Sequence, residues 1–377
     1  MKKISVFLIS LWLLVVSSAC SGSEKLMLLN WGEYINDEVV SRFEQEYHVR
    51  VVPTYVESNE GFYEKIDNAT TVYDIAVPSE YMIEKMKNDG LLQKIDLTKL
   101  SNYDPVNNPL MPGVLGIQGA MFSGNEEYAV PYFWGTWGLM YNKQKAGLEE
   151  AVLANAWSAF FDVDKVPSGT KVGMYNIPRY AYAAAMLYNG LSVNEESSTA
   201  LALAETTLRK REFAEWGTDT LKKAIVANNL DLAFVWTGDF LDVYYQQLDV
   251  NPDPSKVKFD IYIPEDTIAF MDGLVIPKNA HNVELAHKFI DFMLRPEIAY
   301  LNASVVGYCT PVLKAYDQIV GYQGDDPWLK AWAQANLKYY PKPLPTDLVQ
   351  FKGTPLTNLS REYLASIITM VNNVKVG

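Results

Sequence analysis

Between residues 25 and 90, short apolar runs alternate with segments of helical spacing, and this order constrains the fold more than any other feature of the chain. Lys25–Asn30 is an apolar run. Residues 37–47 follow with apolar positions at Val39, Val40, Phe43 and Tyr47, behind Asn36 and Asp37 as helix caps. Val49–Tyr55 reads as a strand, and Ser58 and Asn59 cap a helix carrying Phe62 and Ile66. Tyr73–Val77 reads as a second short strand, and residues 80–89 form a helix stopped by Gly90. Strand–helix alternation of this kind predicts an α/β layer with a largely parallel sheet. The pattern returns less cleanly later. Strands are expected at Lys171–Met174, Asp231–Trp236, Phe259–Ile263 and Gly273–Ile276. Helices are expected at Tyr180–Tyr188 and at 282–294, the latter ended by Pro296. With 377 residues, no internal repeat and no low-complexity linker, two lobes joined by short crossings fit best.

Ligands of open α/β sheets sit beyond the carboxyl ends of the strands. Four clusters fall there: Trp31-Gly32-Glu33-Tyr34, Pro78-Ser79-Glu80-Tyr81, Trp236-Thr237-Gly238-Asp239 and Phe270-Met271-Asp272. Each sets aromatic rings beside a carboxylate or hydroxyl. Any one of them alone is ordinary loop packing, but four in the same topological place mark a site. Aromatic residues are 13% of the chain, a composition suited to gripping amphipathic or cationic ligands as well as to filling cores.

The formal charge of −13, with no Lys/Arg run longer than three, argues against a nucleic-acid surface, which needs clustered positive charge. An acidic protein is better suited to attracting cations. Two cysteines make neither a disulfide framework nor a structural zinc site. His281-x-x-Glu284-x-x-His287 drifts round a helix and reads as solvated polar residues; the remaining histidine is His48. Gly113-x-x-Gly116-x-x-Gly119 has the wrong spacing for a dinucleotide loop and reads as an ordinary loop. A nucleophile elbow, a P-loop and a catalytic triad with supporting context are all missing, so the chain is not expected to be an enzyme or to carry a cofactor.

At the amino terminus, Lys2 and Lys3 precede the apolar stretch Ile4–Val16, then Ser17, Ser18, Ala19 and Cys20. Thirteen apolar residues are too few to span a bilayer, which takes about 20. The segment reads as an export signal, residues 1–19, with Cys20 as the lipidated first residue of the mature chain. Ser17 stands where such lipoboxes usually carry Leu. Ser21–Glu24 reads as a short tether, and Cys309 as a small buried hydrophobe.

The motifs, in order, resemble the spermidine/putrescine-binding proteins of bacterial ABC importers. The matching pieces are Asn30-Trp31-Gly32-Glu33-Tyr34, Tyr55-x-Glu57-Ser58-Asn59-Glu60 and Tyr73-Asp74-x-x-Val77-Pro78-Ser79-x-Tyr81. They continue with Val130-Pro131-Tyr132-x-Trp134-Gly135, Val235-Trp236-x-Gly238 and Phe270-Met271-Asp272-x-Leu274-x-Ile276-Pro277. Leu294-Arg295-Pro296 and Gly307-Tyr308-x-Thr310-Pro311 close the series. The resemblance spans about Leu26 to Tyr363. It implies a two-lobed periplasmic-binding-protein fold (type II), each lobe a mixed sheet flanked by helices, with the ligand in the cleft. Lobe 1 would hold residues 24–134 and about 272–312. Lobe 2 would hold about 135–271 and 313–377, with crossings near Trp134–Gly135, near Phe270–Asp272 and after Pro311.

Carried across residue by residue, the resemblance implies aromatic walls from Trp31, Tyr34, Tyr81, Trp236, Phe270 and Tyr308. Asp272 would be the main carboxylate at one ammonium, and Glu33 would approach the other end, directly or through water. Ser79, Thr218 and Gln350 would supply polar contacts. The chain departs from the spermidine-preferring pattern, which carries an acidic pair in the segment Met174–Tyr180. Here Ile177 and Tyr180 align, and no carboxylate lies between Lys171 and Tyr188. Phe270 also stands where that branch often has Trp. Asp239, three residues after Trp236, resembles the putrescine-preferring branch and would replace the missing acids. The implied partners are a polyamine (putrescine as much as spermidine), the ABC permease and, through Cys20, the membrane. The protein is expected to be a monomer in the bacterial cell envelope.

Three other readings stand beside this one. The first is a binding protein of the same fold for ferric iron or a sugar, with Tyr244-Tyr245 and Tyr339-Tyr340 as possible phenolate pairs. The second is a polyamine-processing enzyme such as an aminopropyltransferase. The third is a polyamine-sensing surface lipoprotein.

Overall fold

The computed structural model describes residues 24–341 and 353–376. The export segment, Cys20 and most of its tether therefore lie outside the described residues. Eleven strands are present among those described. In chain order they are β1 (Lys25–Trp31), β2 (Arg50–Val56), β3 (Ile75–Ala76), β4 (Leu92–Gln93), β5 (Val130–Asn142) and β6 (Val172–Tyr175). Then come β7 (Glu215–Gly217), β8 (Leu232–Trp236), β9 (Phe259–Tyr262), β10 (Ala269–Leu274) and β11 (Ile276–Pro277).

The first sheet is parallel, in the order β2-β1-β3, with Lys25 opposite Arg50 and Trp31 opposite Val56. Helices on its connections bury both faces, so Leu26, Leu28, Leu29 and Ile75 are all enclosed. Each such side chain contributes about 1.5–3 kcal/mol by leaving water. Local signals set the helix ends. The Asn36 side chain accepts from the Glu38 amide at the head of helix Asp37–Tyr47, and Ser58 accepts from Gly61 at the head of helix Asn59–Asp67. Helix Glu80–Asn88 ends with Gly90 at φ 71°, a left-handed turn that glycine adopts without strain. The expected second strand at 73–77 shrinks to two residues.

The second sheet runs β10-β5-β8-β6-β7, with β9 also paired to β5. Strands β6, β7 and β8 are parallel to one another, whereas β5 is antiparallel to β8, β9 and β10. β5 is buried at every position. Its residues Val130–Thr136 pair with β10 and Trp137–Asn142 with β8 and β9, so the strand changes partners between Thr136 and Trp137. β10 runs back beside it, and Ser79 bridges to Asp272 from the first half. The molecule is thus two α/β halves tied together by adjacent crossing strands.

Two expectations are corrected. Gly113, Gly116 and Gly119 lie not in a loop but within helix Pro112–Phe122. Pro112 opens that helix, and buried Val114, Ile117 and Phe122 hold it. Gly113 is there for space, because a Cβ would sit 2.4 Å from the Trp134 ring. The strand expected at 273–276 is divided between β10 and β11. Helix Val283–Met293 forms where expected, and Pro296 then opens a further helix, Pro296–Val306. Cys309 is buried.

Candidate functional site

The carboxyl ends of β1, β2, β3, β6, β7 and β8 converge on a cavity of about 450 Å³. Trp31, Glu33, Tyr34, Ser79, Thr218, Trp236, Asp239, Phe270, Asp272 and Tyr308 all line it. Tyr81 does not. It lies two residues beyond Ser79, about 200° further round the helix at about 100° per residue, and is buried near Glu60, Tyr180 and Arg179. Gln350 lies outside the described residues.

At one end stands Asp272, buried on β10. Tyr34 Oη donates to its Oδ2 at 2.5 Å and Ser79 Oγ to its Oδ1 at 2.6 Å. Asn59 fixes Ser79, accepting from its backbone amide at 2.9 Å while donating to its hydroxyl at 3.1 Å. Both donors to Asp272 are neutral, and among the described residues no cation pairs with its charge. Burial raises its pKa to about 7, against the lowering effect of the two hydroxyls. Glu80, in the same cluster of sequence, turns inward and accepts from the Met271 amide at 3.0 Å. Burial, opposed by that bond and reinforced by Asp272, raises the Glu80 pKa to about 8.

The walls are rings held edge to face. Trp236 meets Phe270 at 4.6 Å and Tyr180 at 5.5 Å, and Tyr34 meets Tyr308 at 4.9 Å. Trp31 packs on Phe62, and its indole N–H donates to the Val77 carbonyl at 2.8 Å. These contacts fix the rings before any ligand arrives.

At the other end, Asp239 sits in the first turn of helix Thr237–Val250, where the helix dipole favours an anion. Lys222 Nζ lies 3.0 Å from Asp239 Oδ1 and 3.0 Å from Asp242 Oδ2. Tyr175 Oη donates to Asp239 Oδ2 at 3.3 Å. Burial works against the Lys222 charge, but Asp239 and Asp242 outweigh it and raise the pKa above the ordinary lysine value. Asp219 stands beside this group. Burial, then Asp239, raises its pKa to about 6. Glu33 is exposed at the rim, 3.9 Å from Lys223.

Lys222, Asp219, Asp242 and Tyr175 were not singled out in the sequence. Asp239 and Asp242 are three apart on a helix and so share a face, a signal that could have pointed to a cation between them. The tyrosine pairs 244-245 and 339-340 do not line the cavity. His287 Nε2 accepts from the Asp96 amide and its Nδ1 faces the Val283 carbonyl, which occupies both ring nitrogens. Among the described residues, no group of three or more His, Cys, Asp or Glu side chains is placed to hold a metal ion.

Two α/β halves enclosing a preformed acidic and aromatic cavity at their strand ends define a solute-binding protein. The chain belongs to the bacterial extracellular solute-binding protein family, whose model matches residues 38–336. Within that family it is similar to the spermidine/putrescine-binding periplasmic protein of Salmonella typhimurium, at 29% identity over 298 residues covering 78% of this chain and 80% of the relative. It is 28% identical over 318 residues to the putrescine-binding periplasmic protein SpuD of Pseudomonas aeruginosa, covering 82% and 84% of the two chains. A solved structure described as a putative spermidine/putrescine ABC transporter from Listeria monocytogenes superposes with a TM-score of 0.74 at 29% identity, covering 94% of this chain and 99% of that one.

Proposed function

We infer that this protein is the extracytoplasmic solute-binding component of an ABC importer, and that it takes linear polyamines, putrescine as much as spermidine, into its cleft and delivers them to the permease. The relatives' names support the ligand class. The observation that carries the reading is Asp272, a buried carboxylate facing a ring-lined cavity with neutral donors and, among the described residues, no cation paired with it. An ammonium placed there completes the charge balance. Trp31, Tyr34, Trp236, Phe270 and Tyr308 would flank the methylene chain. Ser79 and Thr218 would add polar contacts, and the second ammonium would reach Asp239 and Asp219, with Glu33 at the mouth. Charge-assisted hydrogen bonds contribute about 1.5–3 kcal/mol each, and cation–π contacts add about 0.5–2 kcal/mol. Less the cost of ordering the ligand, this reaches the micromolar range, about −8 kcal/mol.

The role is binding and delivery rather than catalysis, with the lobe boundaries given above and closure by a hinge between them. Cys20, following the amino-terminal apolar segment, would carry the lipid that keeps the protein at the membrane. The test is calorimetric titration of the mature protein with putrescine, cadaverine, spermidine and ferric citrate. Micromolar or tighter diamine binding is expected. Binding of ferric citrate with no heat from any polyamine refutes the reading, and spermidine bound a hundredfold tighter than putrescine refutes the diamine preference.

A further inference from the structure

We propose that Lys222 is a resident ammonium which sets the number of charges the cleft accepts, and is therefore the residue that selects diamines over triamines. The proposal rests on the polyamine reading of the cleft and deepens it. Lys222 lines the cavity, yet its side chain is only 5% exposed, and its Nζ is 3.0 Å from one carboxylate oxygen of Asp239 and one of Asp242. It stands where the end group of a longer polyamine would otherwise be drawn.

Among the described residues, the cavity lining carries six carboxylates (Glu33, Glu57, Asp219, Asp239, Asp242 and Asp272) and two lysines, Lys222 and Lys223. Glu33 and Lys223 face each other at the exposed rim, with side chains 69% and 61% accessible, so solvent screens that pair. Inside, the Asp239–Asp242 pair shares one cation and presents a net single negative charge, with Asp219 next to it. Asp272 lines the same cavity, and among the described residues no cation pairs with it. A diamine sets one ammonium at Asp272 and the other on the carboxylates beside Lys222, Asp219 among them, and Lys222 lowers by one the negative charge left there for any further ammonium. A third ammonium meets the fixed positive charge of Lys222 in a poorly solvated space, where like charges repel strongly. The lysine also cannot withdraw freely, since retreat would leave buried Asp239 and half-buried Asp242 without their shared cation.

The test compares putrescine and spermidine dissociation constants, by calorimetry, for the full mature protein and its variants. In Lys222→Gln the uncovered carboxylates should take the third ammonium, shifting the putrescine-to-spermidine ratio at least tenfold towards spermidine. Lys222→Arg keeps the charge and should keep the wild-type ratio. The double variant Lys222→Gln/Asp242→Asn removes one charge of each sign and should also keep the wild-type ratio, which leaves the idea testable if the single variant does not fold. A ratio within threefold of wild type in Lys222→Gln, or a shift towards spermidine in either charge-preserving variant, overturns the proposal. A wild-type protein that binds no polyamine refutes the functional reading instead. Wild-type diamine binding with an unmoved ratio in Lys222→Gln refutes only the role of Lys222.

Discussion

Asp272→Asn should weaken diamine binding and, at the same time, stabilise the ligand-free protein at pH 8. Both effects come from one fact: the carboxylate is buried with hydroxyl donors and, among the described residues, without a cation. Its pKa is raised from 3.8 to about 7. At pH 8 it is ionised in the empty protein, and a shift of about three units means that folding carries a penalty of about 4 kcal/mol for this charge. Asparagine removes that penalty but turns an amide towards either Ser79 or Tyr34, and losing one hydroxyl's acceptor costs about 1–2 kcal/mol. The ligand-free variant should therefore gain about 2 kcal/mol. The bound ammonium loses a charge-assisted partner worth about 1.5–3 kcal/mol, so the putrescine Kd should rise about ten- to a hundredfold. Urea denaturation without ligand and calorimetric titration, both at pH 8, measure the two quantities. An unchanged Kd would refute the ammonium assignment. A ligand-free variant less stable than wild type would refute the account of an uncompensated charge.

Putrescine affinity should fall below pH 7, by about tenfold per unit as the limit, because Asp272 must lose a proton to bind while primary amines stay charged until about pH 10. Titrations at pH 5, 6, 7 and 8 check this; a flat profile contradicts it, and Asp272→Asn should flatten the curve between pH 7 and 8, above the range where Asp219 takes up its proton. Glu80, with its pKa raised to about 8, binds a proton in the folded state that it has lost in the unfolded chain across roughly pH 4.3 to 8. Its stabilising contribution is full below that window and is lost as pH rises through it, at up to about 1.4 kcal/mol per unit. Glu80→Gln should thus show a shallower decline of unfolding free energy between pH 5.5 and 8.5, and identical slopes count against the assignment. Gly238→Ala puts a Cβ 2.2 Å from the Tyr308 ring, so it should displace that ring, cost about 1–3 kcal/mol of stability and weaken putrescine binding. Near-wild-type values in both measurements would show that the ring is not held where the structure places it.

The sequence shows the first sheet clearly because local signals and burial agree there. Asn36 and Ser58 cap their helices, and Leu26, Leu28 and Leu29 leave no alternative to a strand covered on both faces. The clusters after β1, β3 and β8 reach the cavity for a topological reason, since parallel strands deliver their following loops to one end. Other features depend on packing that the sequence does not print. Helix Pro112–Phe122 forms despite three glycines because Val114, Ile117 and Phe122 are buried, and Trp134 leaves room for nothing larger than glycine at 113. Tyr81 and Glu80 belong to a cluster that looks like a site, yet one turn of helix carries them away from the cavity. Lys222 was hidden because it sits within the apolar helix Thr220–Val226, and nothing in its neighbours announces carboxylates that arrive some twenty residues later.

The two ends of the cavity differ in a way that bears on closure. Asp272 is held by Tyr34 and Ser79, from loops of the first sheet, on a strand that crosses between the halves. Lys222, Asp239, Asp242 and Asp219 follow strands of the second sheet. A ligand can shift a conformational equilibrium only by its differential affinity for the two states. A monoamine satisfies one end and therefore one half. A molecule with an ammonium at each tip satisfies both ends at once, and only while the halves stand at the right separation. On the proposed reading, the free energy that favours the closed form comes from joining an unbalanced carboxylate in one half to a partly balanced cluster in the other. That makes ligand length and charge, rather than hydrophobic area alone, the quantities the cleft measures.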